Sequence, residues 1–120
     1  MTLFMTLFRR RKVSDISALR ANRLVTDNKA TLLDVRAPEE WAAGHAPDAI
    51  HIPLGIPRAS ALTGANPIIT VCRSGRRSGQ AAALLHREGI EVGNLSGGMQ
   101  AWSQVGLPVV RDDGSPGVIA

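Results

Sequence analysis

The stretch that decides the fold is residues 68–85, which read I-I-T-V-C-R-S-G-R-R-S-G-Q-A-A-A-L-L. Its first four residues are apolar or β-branched, and they predict a strand buried on both faces of a parallel sheet. The small and apolar residues at its end predict a helix whose inner face carries Ala81, Leu84 and Leu85. The only cysteine of the chain, Cys72, therefore falls in the turn between a strand and a helix.

Short apolar runs alternate with helix-like segments along the rest of the chain. This order is typical of β/α units around a parallel sheet. Three further strands are predicted at residues 31–35, 49–52 and 91–95. Short helices are predicted after Pro38 and after Gly97-Gly98, with Gly44 ending the first of them.

An additional helix is predicted near the start of the chain. Ser14 or Asp15 is its expected cap, and Ile16, Leu19 and Leu24 share one side of it. Trp41 and Trp102, which fall in the two short helices, are interpreted as core anchors rather than as substrate platforms.

The length of 120 residues, with 44% hydrophobic and 20% charged residues, predicts one globular domain. We expect the domain to span residues 13–108. A flexible basic and apolar tail is expected at residues 1–12. A second flexible tail, rich in Gly, Asp, Ser and Pro, is expected at residues 109–120.

The net charge of +4 comes from the N-terminal tail, which reads M-T-L-F-M-T-L-F-R-R-R-K. Without its four basic residues the chain has ten basic and ten acidic side chains. The body has no basic stripe interleaved with aromatic residues, so no nucleic-acid partner is expected. The eight residues before the first arginine are too few to span a bilayer, which needs about 20. A solvated extension and a weak membrane contact remain the two interpretations of residues 1–12.

The single cysteine excludes an internal disulfide, and no Cys/His spacing predicts a metal site or a cofactor. A thiol that stays free suits a reducing compartment, so a cytoplasmic location is expected. No further potential metal ligands accompany His45 and His51, so the two histidines are interpreted as packing or hydrogen-bonding residues.

The turn that follows Cys72 predicts a reactive thiol. A short turn containing Gly75 can point successive main-chain N–H groups inward, and the start of a helix adds unpaired N–H groups. Such surroundings lower a cysteine pKa to about 3.5–7.5, which leaves a thiolate at neutral pH. A buried, inert cysteine is the alternative interpretation.

Three motifs resemble one protein family. V-C-R-S-G-R-R-S at residues 71–78 resembles the active-site loop of the rhodanese-like sulfurtransferases. L-L-D-V-R-A-P-E-E-W-A-A-G-H-A-P-D-A-I-H-I-P-L at residues 32–54 and N-L-S-G-G-M-Q-A-W at residues 94–102 resemble two further signatures, in the expected order. The resemblance covers about residues 13–108 and is closest to single-domain members.

This resemblance implies an α/β fold with a five-stranded parallel sheet flanked by helices on both faces. It also implies that Cys72 takes the outer sulfur of thiosulfate or a similar donor, becomes a persulfide, and passes the sulfur to cyanide or a thiol. The rest of the loop would hold the small anionic donor through main-chain N–H groups and positive charge, and comprises Arg73, Ser74, Gly75, Arg76 and Arg77.

Asp34 and Arg36 follow the first clear strand and are expected at the same sheet edge as Cys72. An ion pair or a hydrogen bond that supports the loop is the favoured interpretation, ahead of direct substrate contact. No metal is expected among these residues.

Two alternatives stay open. Phosphatases and arsenate reductases of similar fold have five residues between cysteine and arginine, whereas four separate Cys72 from Arg77. One residue spans about 3.3–3.6 Å, so the shorter loop suits a terminal sulfur better than a tetrahedral oxyanion. The other alternative is a non-catalytic binding or regulatory module, although such domains usually look as if the cysteine has been lost. Because the chain has no second cysteine, an external thiol, small or on a partner protein, must accept the sulfur.

Overall fold

The computed structural model of the protein describes residues 13–54, 62 and 67–120. The expectations for residues 1–12, including membrane contact, lie outside the described residues. No helix within the described ranges is long and apolar enough to cross a membrane.

Strands and helices alternate along the described chain, as the sequence predicts. The strands are β1 (Ser14–Ile16), β2 (Thr31–Asp34), β3 (Ile50–His51), β4 (Ile68–Val71) and β5 (Val92–Leu95). The helices are α1 (Ala18–Thr26), α2 (Pro38–Ala43), α3 (Arg76–Arg87) and α4 (Gly98–Gln104).

The five strands form one parallel sheet in the order β1-β5-β4-β2-β3. Apolar side chains of the central strands alternate between the two faces, and each face supports its own core cluster. One cluster contains Leu32, Ile69, Met99 and Trp102; the other contains Leu33, Ile68, Ala81 and Leu85. The α/β fold with a five-stranded parallel sheet is therefore confirmed.

The first element differs from the sequence expectation. Residues 14–16 form β1, which pairs with β5, and the helix begins only at Ala18. Ser17, rather than Ser14 or Asp15, is the cap, because its side chain accepts a hydrogen bond from the N–H of Arg20. A three-residue strand is too short to show an alternating pattern, which explains why the sequence did not reveal it.

Residues 109–120, which we call the strap, were expected to form a flexible C-terminal tail, and in the structure they make main-chain hydrogen bonds to the rest of the domain. Val110 exchanges two main-chain hydrogen bonds with His45, and the N–H of Val118 donates to the carbonyl of Ala43. Val109 and Ile119 pack against the first core cluster. The strap is held because it adds apolar contacts and backbone hydrogen bonds, which its Gly, Asp and Ser content does not reveal.

Two predicted core side chains lie elsewhere. Leu84 is exposed on α3, whereas Ala82 takes a place in the core beside Ala81 and Leu85. Trp41 is only partly buried and stacks on His45 and His51, with ring centroids 3.6 and 4.7 Å away. Trp102 is buried as predicted.

Candidate active site

Cys72 lies directly after β4, at the carboxyl edge of the sheet, and it has no solvent-exposed surface. The loop from Cys72 ends at Gly75, which caps α3 in the left-handed region with φ 105°. A side chain at that φ would be strained, so glycine suits the sharp turn from loop to helix. The predicted strand–turn–helix setting of the thiol is thereby observed.

Two donors point at the sulfur of Cys72. The main-chain N–H of Gly75 lies 3.0 Å from Sγ, and the hydroxyl oxygen of Ser78 lies 3.3 Å from it. Both donors are neutral dipoles at the start of α3, so they favour negative charge on the sulfur. One main-chain amide and one hydroxyl therefore face the thiol, which also packs within the second core cluster.

The pKa of the Cys72 thiol reflects a balance between burial and these hydrogen bonds. Burial raises the pKa, because it removes the charged form from water. The hydrogen bonds from the Ser78 side chain and from the N–H groups of Ser78, Gly75 and Ser74 lower it. Their combined effect is larger, so the pKa lies below its usual value and the thiolate is favoured.

The outer side of the loop is held by α4. The N–H groups of Met99 and Gln100 donate to the carbonyls of Cys72 and Arg73, at 2.8 and 3.0 Å. With both carbonyls turned toward α4, the following N–H groups are free to face Sγ. Gly98 makes this contact possible, since a Cβ there would collide with the same two carbonyl oxygens.

A buried polar group lies behind the loop. Ser78 Oγ is 2.6 Å from Asn94 Oδ1, and Thr70 Oγ1 is 3.2 Å from the same oxygen. The amide of Asn94 donates to the carbonyl of Gly75 at 2.9 Å. Asn94 therefore connects the loop to strands β4 and β5.

Arg77, one of the three loop arginines, has a carboxylate partner. Its Nη1 and Nη2 lie 2.6 and 2.8 Å from the two oxygens of Glu40 on α2. The hydrogen bonds from Arg77 lower the pKa of Glu40 to about 2. The charge of Arg77 is thus largely used to fasten α3 to α2.

Asp34 and Arg36 form a buried ion pair, with neither side chain exposed. Nε and Nη2 of Arg36 donate to both carboxylate oxygens, and Nη2 also donates to the carbonyl of Gly44 at 2.7 Å. Among the described residues, Nη1 of Arg36 has no partner. The ion pair that the sequence favoured is present, and it ties the end of β2 to the end of α2; its support of the Cys72 loop stays a prediction.

The remaining loop residues face outward. Ser74 and Arg76 are exposed, and so is Arg73, whose Nε donates to the main-chain oxygen of Ala120 at 2.9 Å. The strap therefore reaches the active-site loop.

Sequence reasoning missed the supports of the loop, namely Ser78, Asn94, Thr70, Glu40 and Gly98. Thr70 and Asn94 carried a usable signal, because they are polar residues within strands that are otherwise buried. Glu40 and Gly98 lack such a signal, since their partners become neighbours only through the fold.

A family model described as a rhodanese-like domain matches residues 17–105. The chain belongs to the rhodanese-like family. Thus the resemblance drawn from the three motifs is confirmed, and the match ends before the strap begins.

Individual relatives agree with this assignment. A sulfurtransferase from Allochromatium vinosum is 41% identical to this rhodanese-like protein over 97 residues, which are 78% of this chain and 91% of that one. A putative sulfurtransferase from Bacillus subtilis, YtwF, is 36% identical, with coverage of 76% and 91%. A rhodanese-related protein from Thermoplasma volcanium has a similar structure, with a TM-score of 0.74, 29% identity and coverage of 81% and 97%.

Some relatives are longer than this chain. Three of them, each 40% or 41% identical, match over only 49%, 40% and 44% of their own length. The rhodanese-like domain therefore also occurs as one part of larger proteins.

Proposed function

We propose that the protein is a sulfurtransferase that carries a sulfane sulfur on Cys72 as a persulfide. The observation that carries this proposal is the N–H of Gly75 aimed at Sγ from 3.0 Å, beside the hydroxyl of Ser78. The names of the relatives from A. vinosum and B. subtilis support the same class of reaction.

The first half-reaction needs a thiolate and a donor with a good leaving group. The Cys72 thiolate attacks the terminal sulfur of thiosulfate or a related donor and forms a new S–S bond. The bond from that sulfur to the rest of the donor breaks, and its electron pair leaves with sulfite. Because the pKa of Cys72 lies below its usual value, the thiolate fraction available for this attack is larger than for an ordinary cysteine.

The persulfide then occupies the place of the thiolate. Its terminal sulfur is an anion, and the fixed N–H groups of residues 74 and 75 are donors suited to hold it. An external thiolate or cyanide attacks that outer sulfur, the S–S bond breaks, and its electron pair returns to Cys72. The chain has no other cysteine, so an internal disulfide cannot compete.

Because Cys72 is buried, it favours a sulfur donor whose reacting end is narrow. A terminal sulfur is a single atom, whereas a phosphate monoester presents a tetrahedral group that needs a wider loop. The loop has only four residues between Cys72 and Arg77, and Arg77 is paired with Glu40, so these described residues disfavour binding of such a group.

Mass spectrometry of the intact protein after incubation with thiosulfate tests the proposal. We expect a gain of one sulfur that cyanide removes, and we expect neither event in Cys72→Ser. The single cysteine makes the assignment unambiguous.

Turnover of thiosulfate and cyanide in Cys72→Ser would contradict the persulfide mechanism. Hydrolysis of a phosphate ester without sulfur uptake would identify a phosphatase instead. Folded protein with neither reaction, tested also with organic persulfide donors, would identify a binding module.

A further inference from the structure

Three polar side chains meet in the interior between the sheet and α3. Thr70 and Ser78 have no exposed surface, and Asn94 is 8% exposed. Thr70 and Asn94 are direct partners in the register of β4 and β5, so their side chains share one face of the sheet. Buried polar groups are costly unless they are hydrogen-bonded, so the placement of their hydrogens decides what this group does.

The orientation of Asn94 is fixed by its other contact. Its Nδ2 lies 2.9 Å from the carbonyl of Gly75, which can only accept. Oδ1 must therefore face the hydroxyls of Thr70 and Ser78, as it does.

The two hydroxyls have fewer hydrogens than acceptors. Each donates one hydrogen. Thr70 Oγ1 is within reach of the carbonyls of Ser78 (2.9 Å) and Gly93 (3.3 Å) and of Asn94 Oδ1 (3.2 Å). Ser78 Oγ is within reach of Asn94 Oδ1 (2.6 Å) and of Cys72 Sγ (3.3 Å). Ser78 cannot donate to both of its acceptors at once.

Two arrangements follow, one for each form of Cys72. While the sulfur is a thiol, Ser78 donates to Asn94 across the short 2.6 Å distance, and Thr70 donates to a main-chain carbonyl. Once the sulfur is a thiolate it becomes a much stronger acceptor, because it is charged. Ser78 then turns its hydrogen to Sγ, and the oxygen of Asn94 needs another donor.

We propose that Thr70 is a positioning residue for the Cys72 thiolate, which supplies that donor and so releases the Ser78 hydroxyl to the sulfur. The change requires only rotation of two hydroxyl hydrogens, and no proton moves from one group to another. Among the described residues, the Thr70 hydroxyl has hydrogen-bond partners in Ser78, Gly93 and Asn94 but not in the sulfur, so it acts through Asn94 and Ser78. The inference rests on the proposed function in taking the thiolate as the reacting form.

A purely structural role for Thr70 makes a different prediction. Its 2.9 Å bond to the carbonyl of Ser78 also joins β4 to α3, and losing that bond alone would lower stability without changing the titration of Cys72. Thr70→Val separates the two roles, because valine keeps the shape and removes the hydroxyl.

The experiment is a pH titration of Cys72, followed by thiolate absorbance and by the rate of alkylation with iodoacetamide. We expect Thr70→Val to raise the midpoint by about half to one pH unit, which is the scale of one net hydrogen bond. Thr70→Ser keeps the hydroxyl and should restore the original midpoint. Thr31→Val, the same change at the amino end of β2, is the matched control and should leave the midpoint unchanged.

The background variant Ser78→Ala gives the sharper test. Ser78→Ala should itself raise the midpoint, and adding Thr70→Val should then cause no further shift, because the connection to the sulfur is gone. An equal shift in both backgrounds would overturn the proposal, as would an unshifted midpoint in folded Thr70→Val. If Thr70→Val does not fold, Thr70→Ala is titrated in its place against the same criteria. The titration uses no sulfur donor, so its outcome is independent of whether the protein transfers sulfur.

Discussion

The loops that follow β4 and β2 lie at the same edge of the sheet, but they are stabilised by different kinds of interaction. Around Cys72 the donors are neutral, namely main-chain N–H groups and the hydroxyl of Ser78. After β2, the charges of Asp34 and Arg36 neutralise each other in a buried pair. Arg77 repeats the second pattern, because Glu40 binds it through two hydrogen bonds.

The difference teaches that dipoles make the hydrogen bonds to the sulfur in this site, whereas the ion pairs hold strands and helices together. Arg77 also interacts electrostatically with Cys72, but its hydrogen bonds go to Glu40. Neutral dipoles need no counter-ion that would compete with the sulfur, and the main-chain N–H groups among them require no reorganisation when its charge changes. An arginine-rich loop therefore need not place arginine at the thiolate.

Loss of one partner of the buried pair should have the largest effect on stability. Asp34→Asn leaves the Arg36 guanidinium buried without its counter-ion, and we expect a loss of about 3–5 kcal/mol in the free energy of unfolding. Urea denaturation measures it. Asp48→Asn removes an exposed carboxylate and is the control, expected within about 0.5 kcal/mol of the wild type. Equal effects of the two changes would show that the pair is not a structural support.

Gly98→Ala tests the loop around the thiol. The added Cβ would push against the carbonyls of Cys72 and Arg73 and tilt the N–H groups away from Sγ. We expect the rate of persulfide formation to fall by roughly 100-fold, as is usual for a displacement of about 1 Å at a reacting centre. Gly89→Ala is the matched control, because Gly89 also has a positive φ, at 87°, but open space around it. A similar loss of rate in both variants would mean that backbone strain, and not the loop contact, is responsible.

The pair between Arg77 and Glu40 should have the smallest effect. The Arg77 side chain is 38% exposed, so we expect Glu40→Gln to cost at most about 1 kcal/mol of stability at neutral pH. The folded-state pKa of Glu40 is about 2, below its ordinary value of 4.5. Its contribution is therefore complete above pH 4.5 and is lost as the pH falls toward 2. Urea titrations of wild type and Glu40→Gln should converge over that interval, and a constant difference would contradict this assignment.

The same pair decides how Arg77 affects the donor. If Arg77 only fastens α3 to α2, Arg77→Ala and Glu40→Gln should change KM for thiosulfate equally. A rise in KM confined to Arg77→Ala would show direct contact with the donor. In that case a charged side chain, and not only neutral donors, would act at the site of the sulfur.

The sequence predicted those parts of the fold that depend on neighbouring residues. The sequence correctly predicted the buried strand β4, the proline and glycine at the two ends of α2, and the position of Cys72 in the turn after β4. β1 was missed because three residues cannot establish a period. The number of strands came only from resemblance to a family, and their order was not predicted, since hydrogen bonds between strands join residues far apart in the chain.

The site was predictable in part for the same reason. The N–H of Gly75 follows from a local turn, whereas Ser78, Asn94 and Thr70 meet only because β4 and β5 pair in one register. The arginines suggested an anion site by composition, but composition does not show that Glu40 and Ala120 accept hydrogen bonds from two of them.

The bond between Arg73 and the main-chain oxygen of Ala120 has a practical consequence for engineering. A polypeptide joined after Ala120 starts beside Arg73 of the cysteine loop, so its effective concentration there is high when the linker is short. A reactive thiol on such a fusion would compete with free acceptors in the proposed transfer.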